Sequence, residues 1–259
     1  MLDAIFADPR LAAIYDPLDP DRSDLDAYVQ IAAEFTASAV VDVGCGTGTL
    51  CLLLAQRGLR VVGVDPAAAS IDVARSKPGA ESVHWILGEV SALPPMQVDL
   101  AFMTGNVAQV FITDDDWLST IRSVHAALRP GGRFVFETRN PARHAWLRWT
   151  REHTHAVRTI PGVGSVTSWC DLLDVSGPLV SFRWTYDFAG SDEVTASDST
   201  VISDSTVTSD STLRFRSRGE VEESLAFTGY SVDEIRDAPD RPGLEFVFVA
   251  RKPGPSLGT

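Results

Sequence analysis

Residues Val40-Val41-Asp42-Val43-Gly44-Cys45-Gly46-Thr47-Gly48, together with Asp65 at the end of Val61-Val62-Gly63-Val64, are the part of this chain whose types and spacing could do chemistry. An apolar run, a glycine turn, a helical stretch and a second apolar run ending in an acid describe a strand, turn, helix and strand in succession. Glycines in such a turn let a ligand approach the backbone, and the helix behind it offers free N–H groups. An acid closing the next strand can accept from both hydroxyls of a ribose. The unit therefore predicts a site for an adenosine-containing cofactor, with Asp65 on the ribose. The same carboxylate can cap the helix expected from Ala67, and the two roles are compatible.

Glycine spacing selects among such cofactors. A dinucleotide turn needs G-x-G-x-x-G, or alanine in the last place, so that helix and strand pack closely beside a pyrophosphate. Here the register is Gly44-x-Gly46-x-Gly48 followed by Thr49, and no Tyr-x-x-x-Lys pair lies nearby. An NAD(P)-dependent oxidoreductase is accordingly the weaker alternative. Asp42 adds a negative charge close to the turn, which repels a pyrophosphate and suits a cationic ligand end.

In this hydrophobic-Asp-hydrophobic-Gly-x-Gly-x-Gly form the segment resembles motif I of class I methyltransferases, with every expected residue present. The resemblance implies S-adenosylmethionine as cofactor, held by Asp42, Gly44, Cys45, Gly46, Gly48, Asp65 and Pro66. It extends downstream. Gly88-Glu89-Val90 stands where the family has Gly-Asp-hydrophobic, which implies Glu89 at the adenine amino group and the Val90 N–H at a ring nitrogen. Glu in place of Asp keeps the acceptor and changes its reach. Val98 to Asn106 is similar to the fourth-strand motif, whose exit at Met103 and Thr104 passes the methionine end and faces the substrate. The Asn/Asp-Pro-Pro-aromatic signature of methyltransferases acting on adenine or glutamine amino groups is missing. Leu128 to Glu137, with Pro130-Gly131-Gly132, looks like the helix, glycine turn and fifth strand of the family. The resemblance covers most of residues 25 to 140 and returns at 215 to 251. It implies methyl transfer to an N or O atom of a small organic molecule, or a binder that keeps the cofactor for sensing or scaffolding.

Three regions are expected around the acceptor. Tyr15 and Asp16 precede the first core helix, where related small-molecule methyltransferases fold a Tyr-Asp segment over the cofactor. Asn106 and Gln109 follow the fourth strand; Arg139, Asn140, His144, Trp146 and Trp149 follow the fifth. Trp169, Trp184 and Tyr186 belong to a later insertion. Aromatics so placed suit either an organic substrate or the packing of a small sheet on a core. Asn106, Arg139, Trp146 and Trp169 are the substrate-binding candidates. Displacement at a sulfonium needs alignment and desolvation, not an obligatory base. Tyr15 and His144 are the only catalytic candidates put forward, and His153 and His155 share the ordinary reading of a surface histidine.

The elements that must position these groups alternate. Strands are expected at Val40 to Val43, Arg60 to Val64, Ser82 to Ile86, Asp99 to Met103, Arg133 to Thr138, Tyr230 to Arg236 and Leu244 to Ala250, with helices near 48 to 57, 67 to 76, 115 to 128 and 219 to 226. A helix from Leu25 to Phe35 follows Ser23 and Asp24 as caps, and the Asp- and Pro-rich residues 1 to 23 read as turns. The alternation predicts an α/β fold: a Rossmann-like, seven-stranded, mainly parallel sheet with helices on both faces. Residues 152–214 break the rhythm and read as an antiparallel β lid, inserted into a cofactor-binding domain of residues 1–151 and 215–259. Inside it, Ser-Asp-Ser-Thr recurs at 197 to 200, 203 to 206 and 209 to 212, which reads as tandem expansion of a hairpin in preference to a cation site.

Composition limits the partners. With 35 acidic against 22 basic residues and a formal charge of −13, the chain lacks the basic face that a nucleic acid requires. Arg139, Arg143, Arg148 and Arg151 form a dense basic group and read as a solvated or carboxylate-paired face. The 3 cysteines have neither metal nor disulfide spacing. No apolar run approaches bilayer length and no leader is apparent, so the expectation is a soluble, cytoplasmic protein without metal.

Overall fold

The computed structural model describes residues 2–189 and 205–254. The helices are α1 (Ala4–Ala7), α2 (Pro9–Leu18), α3 (Asp26–Glu34), α4 (Thr49–Ala55), α5 (Ala68–Ser76), α6 (Asp114–Ala127), α7 (Arg151–Thr154) and α8 (Arg218–Phe227). The strands are β1 (Ala39–Val43), β2 (Arg60–Asp65), β3 (Val83–Leu87), β4 (Val98–Met103), β5 (Leu128–Arg139), β6 (Ala156–Ile160), β7 (Gly164–Ser176), β8 (Leu179–Ala189), β9 (Thr206–Arg214), β10 (Ser231–Asp237) and β11 (Glu245–Arg251).

Seven strands form one sheet in the order β10-β11-β5-β4-β1-β2-β3, in which β11 alone runs against its neighbours. β1 is buried along its whole length because helices cover both faces, which is why its sequence, Asp42 apart, is apolar without alternation. Leu50, Leu54, Ile71, Val135 and Val249 pack with α3 and α4 on one face; Trp117, Ile121, Phe134, Phe136 and Phe248 pack with α6 and α8 on the other. Strand order reverses between β1 and β4, and the crevice outside the carboxyl ends of such strands is where α/β sheets bind ligands.

β6 to β9 form a separate antiparallel sheet in sequential order. Its inner face alternates as β-residues must: Ser168, Tyr186 and Val207 lie opposite one another in one row, Cys170, Trp184 and Ser209 in the next. The first copy of the Ser-Asp-Ser-Thr repeat and the first half of the second fall outside the described residues, and the third lies on β9, where Ser209 and Ser211 are buried.

The N-terminal segment corrects the sequence reading. Residues 4 to 18 are helical, not turns. Asp8 accepts from the Arg10 N–H at 2.8 Å and Pro9 takes the first helical position, where a missing N–H costs nothing. Pro17 sits in the last turn of α2. Leu11 and Ile14 then pack against Ile160, Val166, Tyr186 and Val207, so these helices lie between the two sheets. Ser23 and Asp24 do not cap α3 either. They belong to a short 3-10 turn, and Asp21 accepts from the Ser23 N–H at 3.0 Å.

Candidate functional site

The glycine turn leaves β1 and is tied to β2 by two N–H groups, Gly44 and Cys45, both donating to the Val64 carbonyl at 2.8 and 3.2 Å. Gly44, Gly46 and Gly48 all have positive φ, at 71°, 54° and 79°. Their surroundings differ. A Cβ on Gly44 would lie 2.7 Å from Val107 and one on Gly48 would lie 2.4 Å from the Trp85 ring, whereas a Cβ on Gly46 would meet nothing within 4 Å. Two glycines thus let the turn pack, and the middle one faces open space.

Asp65 closes β2 beside this space. Its Oδ2 accepts from the Gly46 N–H at 2.9 Å and its Oδ1 from the Ala67 N–H at 2.8 Å, so it braces the turn and the start of α5 at once. Burial raises its pKa against the pull of those two donors. Each oxygen retains a lone pair for a hydroxyl. Asp42 is 2 % exposed, takes the Cys51 thiol on Oδ2 at 3.4 Å and has no partner for Oδ1 among the described residues. Burial pushes its pKa up to about 7. A leftover carboxylate oxygen two residues before the turn, an open Gly46 and a ribose-height acid suit a ligand with hydroxyls and a cationic end.

A clamp on the turn comes from α2. Asp16 Oδ1 accepts from Thr47 Oγ1 at 2.7 Å and from Thr49 Oγ1 at 3.3 Å, while its Oδ2 lies 2.6 Å from Lys77 Nζ. Tyr15 beside it packs on Phe6 with ring centroids 5.8 Å apart, and burial raises its pKa, so it holds its proton. Glu89 and Pro66 are exposed beyond β3 and β2, and Val90 is buried at the start of a 3-10 turn. Met103 is fully buried in the core, which leaves only its backbone to face the crevice beside the half-buried Thr104.

Next along the sheet edge lies a polar network that the sequence reading saw only in part. Glu137, 2 % exposed, accepts from Tyr28 Oη and, on Oε1, from the Gly105 and Asn106 N–H groups at 2.8 and 3.2 Å. Asn106, at φ 61°, donates through Nδ2 to Glu245 Oε1 at 2.9 Å, and Arg241 Nη1 donates to the same oxygen at 2.8 Å. Arg139 Nη1 donates to Gln109 Oε1 at 2.9 Å, its Nε stands 3.9 Å from Glu245 Oε1, and its guanidinium carbon lies 5.5 Å from the Trp149 ring centroid. Burial pushes the Glu137 pKa up, with the neighbouring Glu245 adding to it. The signal for Glu137 and Glu245 was present: each is an acid inside an otherwise apolar strand end, Phe134-Val135-Phe136-Glu137 and Glu245-Phe246-Val247-Phe248.

The aromatic candidates separate. Trp146 stacks edge-on against Phe215 at 4.6 Å and Trp149 against Phe182 at 4.6 Å, which joins the sheet edge to the second sheet. Trp169 does not join them. It alternates to the other face of β7, where Nε1 donates to Asp171 at 3.0 Å and Arg151 covers the ring at 4.1 Å. His144 is exposed at φ 49°, its ring 5.1 Å from Trp146. No helix among the described residues is long and apolar enough to cross a membrane.

Residues 40–132 match a family described as a methyltransferase domain. The chain is 33% identical over 122 residues to the ubiquinone/menaquinone biosynthesis C-methyltransferase UbiE of Rubrivivax gelatinosus, a match covering 47% of each protein. It thus spans about half the length of the curated relatives it matches. Among solved structures, an S-adenosylmethionine-dependent methyltransferase from Clostridium acetobutylicum superposes with a TM-score of 0.71 at 16% identity, covering 95% of this chain and 98% of that one. CalS10, an amino pentose methyltransferase from Micromonospora echinaspora solved with its cofactor bound, gives 0.67 at 18% identity over 92% and 96%. At these identities the likeness is one of fold, and it extends across the second sheet.

Proposed function

We propose, from the match of residues 40–132 to a methyltransferase domain and the fold shared with S-adenosylmethionine-dependent methyltransferases, that the protein transfers a methyl group to an N or O atom of a small organic molecule. The observation that carries this reading is the Gly46–Asp65 pair: an open glycine at the turn, braced by the carboxylate that closes β2. The family match, the fold shared with methyltransferases and the cofactor bound in CalS10 support it.

Gly44, Cys45, Gly46 and Gly48 would hold the cofactor along the turn, Asp65 its ribose, Glu89 and Val90 its adenine, and Asp42, Met103 and Thr104 its amino-acid end. When bound, that group supplies an electrophilic methyl on a sulfonium. The chain's own part is to align and dry the site. Asp16 fixes the turn through Thr47, Thr49 and Lys77, and Glu137 fixes the loop after β4 through two backbone N–H groups. Rigid positioning of this kind is where most of the rate of an in-line displacement originates. Tyr15 holds its proton, which leaves His144, exposed in the segment after β5, as the side chain to take a proton from an acceptor hydroxyl or amine, but no base is demanded.

Calorimetry with S-adenosylhomocysteine tests the reading. Binding is expected in the wild type, with at least a tenfold loss in Asp65→Ala. Absence of binding in the wild type removes the proposal. A screen of small-molecule pools with methyl-labelled cofactor separates an enzyme, which gives labelled product, from a binder that does not.

A further inference from the structure

Arg139 is held from three sides and left open on the fourth. Gln109 Oε1 takes Nη1 at 2.9 Å, the Trp149 ring lies under the guanidinium at 5.5 Å, and Glu245 stands 3.9 Å from Nε. Nη2 makes no hydrogen bond among the described residues, and the side chain is 24% exposed. Gln109 is itself fully buried, so the buttress cannot swing away without losing its packing.

The acids nearby are already committed. Glu137 accepts from Tyr28 and from the Gly105 and Asn106 N–H groups; Glu245 Oε1 accepts from Asn106 and Arg241. The unpartnered Glu245 Oε2 is closed off from solvent, unlike Arg139. The reachable charge at this edge is therefore the positive one. The chain that continues from it is also positive: residues 139 to 151 carry Arg139, Arg143, Arg148 and Arg151 and no carboxylate, in a protein of formal charge −13. Arg143 is anchored on the Gly243 carbonyl at 2.9 Å, and Arg148 is exposed. A buttressed guanidinium with a free N–H edge, backed by a local positive field, is built to take a carboxylate in paired hydrogen bonds.

We propose that the methyl acceptor carries a carboxylate, and that Arg139 binds it while Gln109 acts as the positioning residue behind it. The proposal rests on the methyl-transfer reading and names the acceptor class within it. Arg139 ends β5, two strands from the glycine turn at the end of β1, which places the two about 10 Å apart at the usual strand spacing of about 4.8 Å. An acceptor of one ring with an acid on one side and a hydroxyl or amine on the other spans that edge.

The test uses the full chain saturated with S-adenosylhomocysteine and matched probes: 4-hydroxybenzoate against 4-hydroxybenzamide, anthranilate against 2-aminobenzamide, and tyramine as a cation. Within each pair the acid is expected to bind at least tenfold more tightly, by calorimetry or thermal shift. Arg139→Gln removes that difference while changing S-adenosylhomocysteine affinity less than twofold. Arg139→Lys, which keeps the charge, retains folding and recovers only part of the preference because it lacks the planar fork. Gln109→Leu weakens the acid and leaves the amide unchanged, an effect that a purely structural role would not divide. Equal binding of acid and amide, preference for tyramine, or no acid binding at millimolar concentration overturns the proposal. The probe arm is repeated on the ligand-free chain, so failure of S-adenosylhomocysteine to bind strikes the cofactor reading without hiding the response of Arg139.

Discussion

At the scale of single residues, the three glycines of the turn are not equivalent, and substitution separates their roles. Gly48→Ala meets a φ of 79° and the Trp85 ring at 2.4 Å, so backbone strain and overpacking add to about 2–4 kcal/mol of lost stability. Gly46→Ala meets only its φ of 54° and costs about 1–2 kcal/mol, yet its methyl group enters the open side of the turn. Denaturant unfolding should rank Gly48→Ala as the less stable, while calorimetry should show Gly46→Ala losing more than tenfold in cofactor affinity. Normal binding by Gly46→Ala would mean that the ligand does not approach there. Asp42 makes a second residue-scale prediction through its protonation. Its carboxyl is pushed up to about 7 by burial, above its ordinary value, so the ligand-free folded state holds a proton that the unfolded chain releases. The associated stability is complete below about pH 4 and is lost as pH rises through about 7, on the order of 4 kcal/mol in all. Asp42→Asn keeps the shape without the charge. It should flatten the fall in unfolding free energy between pH 5 and pH 8 and be the more stable form at pH 8; parallel curves for the two proteins would show that Asp42 is not the group responsible.

At the scale of elements, the two N-terminal helices hold the site together. The Ile5 N–H donates to Ser209 Oγ on β9 at 2.9 Å, Ser70 Oγ on α5 donates to the Phe6 carbonyl at 3.0 Å, and Asp16 grips the glycine turn. Deleting residues 1 to 18 removes all three links and bares the apolar inner face around Val166, Tyr186 and Val207. Such a variant should retain the seven-stranded sheet, whose two clusters do not include these helices, bind an anionic hydrophobic dye, and lose at least tenfold in cofactor affinity. Retention of full affinity would reduce the helices to packing. Their absence from the sequence reading has a physical cause: Asp and Pro open turns and helices alike, and only the recurrence of Leu11, Ile14 and Leu18 distinguished the second case. The core strands were legible because parallel strands covered on both faces read as apolar runs without alternation, as in Leu100 to Met103 and, but for Asp42, Val40 to Val43. Glu137 and Glu245 escaped as site residues because Tyr28, which bonds Glu137, and Asn106, which bonds Glu245, are distant from them in the chain. The face that Trp169 takes was not legible, because an aromatic in a strand says nothing about its side until the register is known.

At the scale of the whole molecule, what remains is how an acidic body can recruit its partner. A formal charge of −13 repels polyanions at a distance, and neutralising even a few phosphates would require a local stripe of cations. The arginines between residues 139 and 151 are too few to reverse that field beyond a screening length of about 8 Å at physiological salt. Arg139, at the end of β5, lies at the crevice, where short range is enough for one small anion. Net charge and local charge thus select for size: a single carboxylate next to Arg139 gains from its nearest neighbour, whereas an extended phosphate backbone must also lie against acidic surface on either side. Duplex DNA and structured RNA should therefore give no mobility shift at about 0.15 M salt, and lowering the salt should not induce one, because weaker screening strengthens repulsion as well as attraction. A shift that grows as salt is lowered would mean that a basic face exists after all, and the small-molecule reading would yield to a nucleic-acid acceptor.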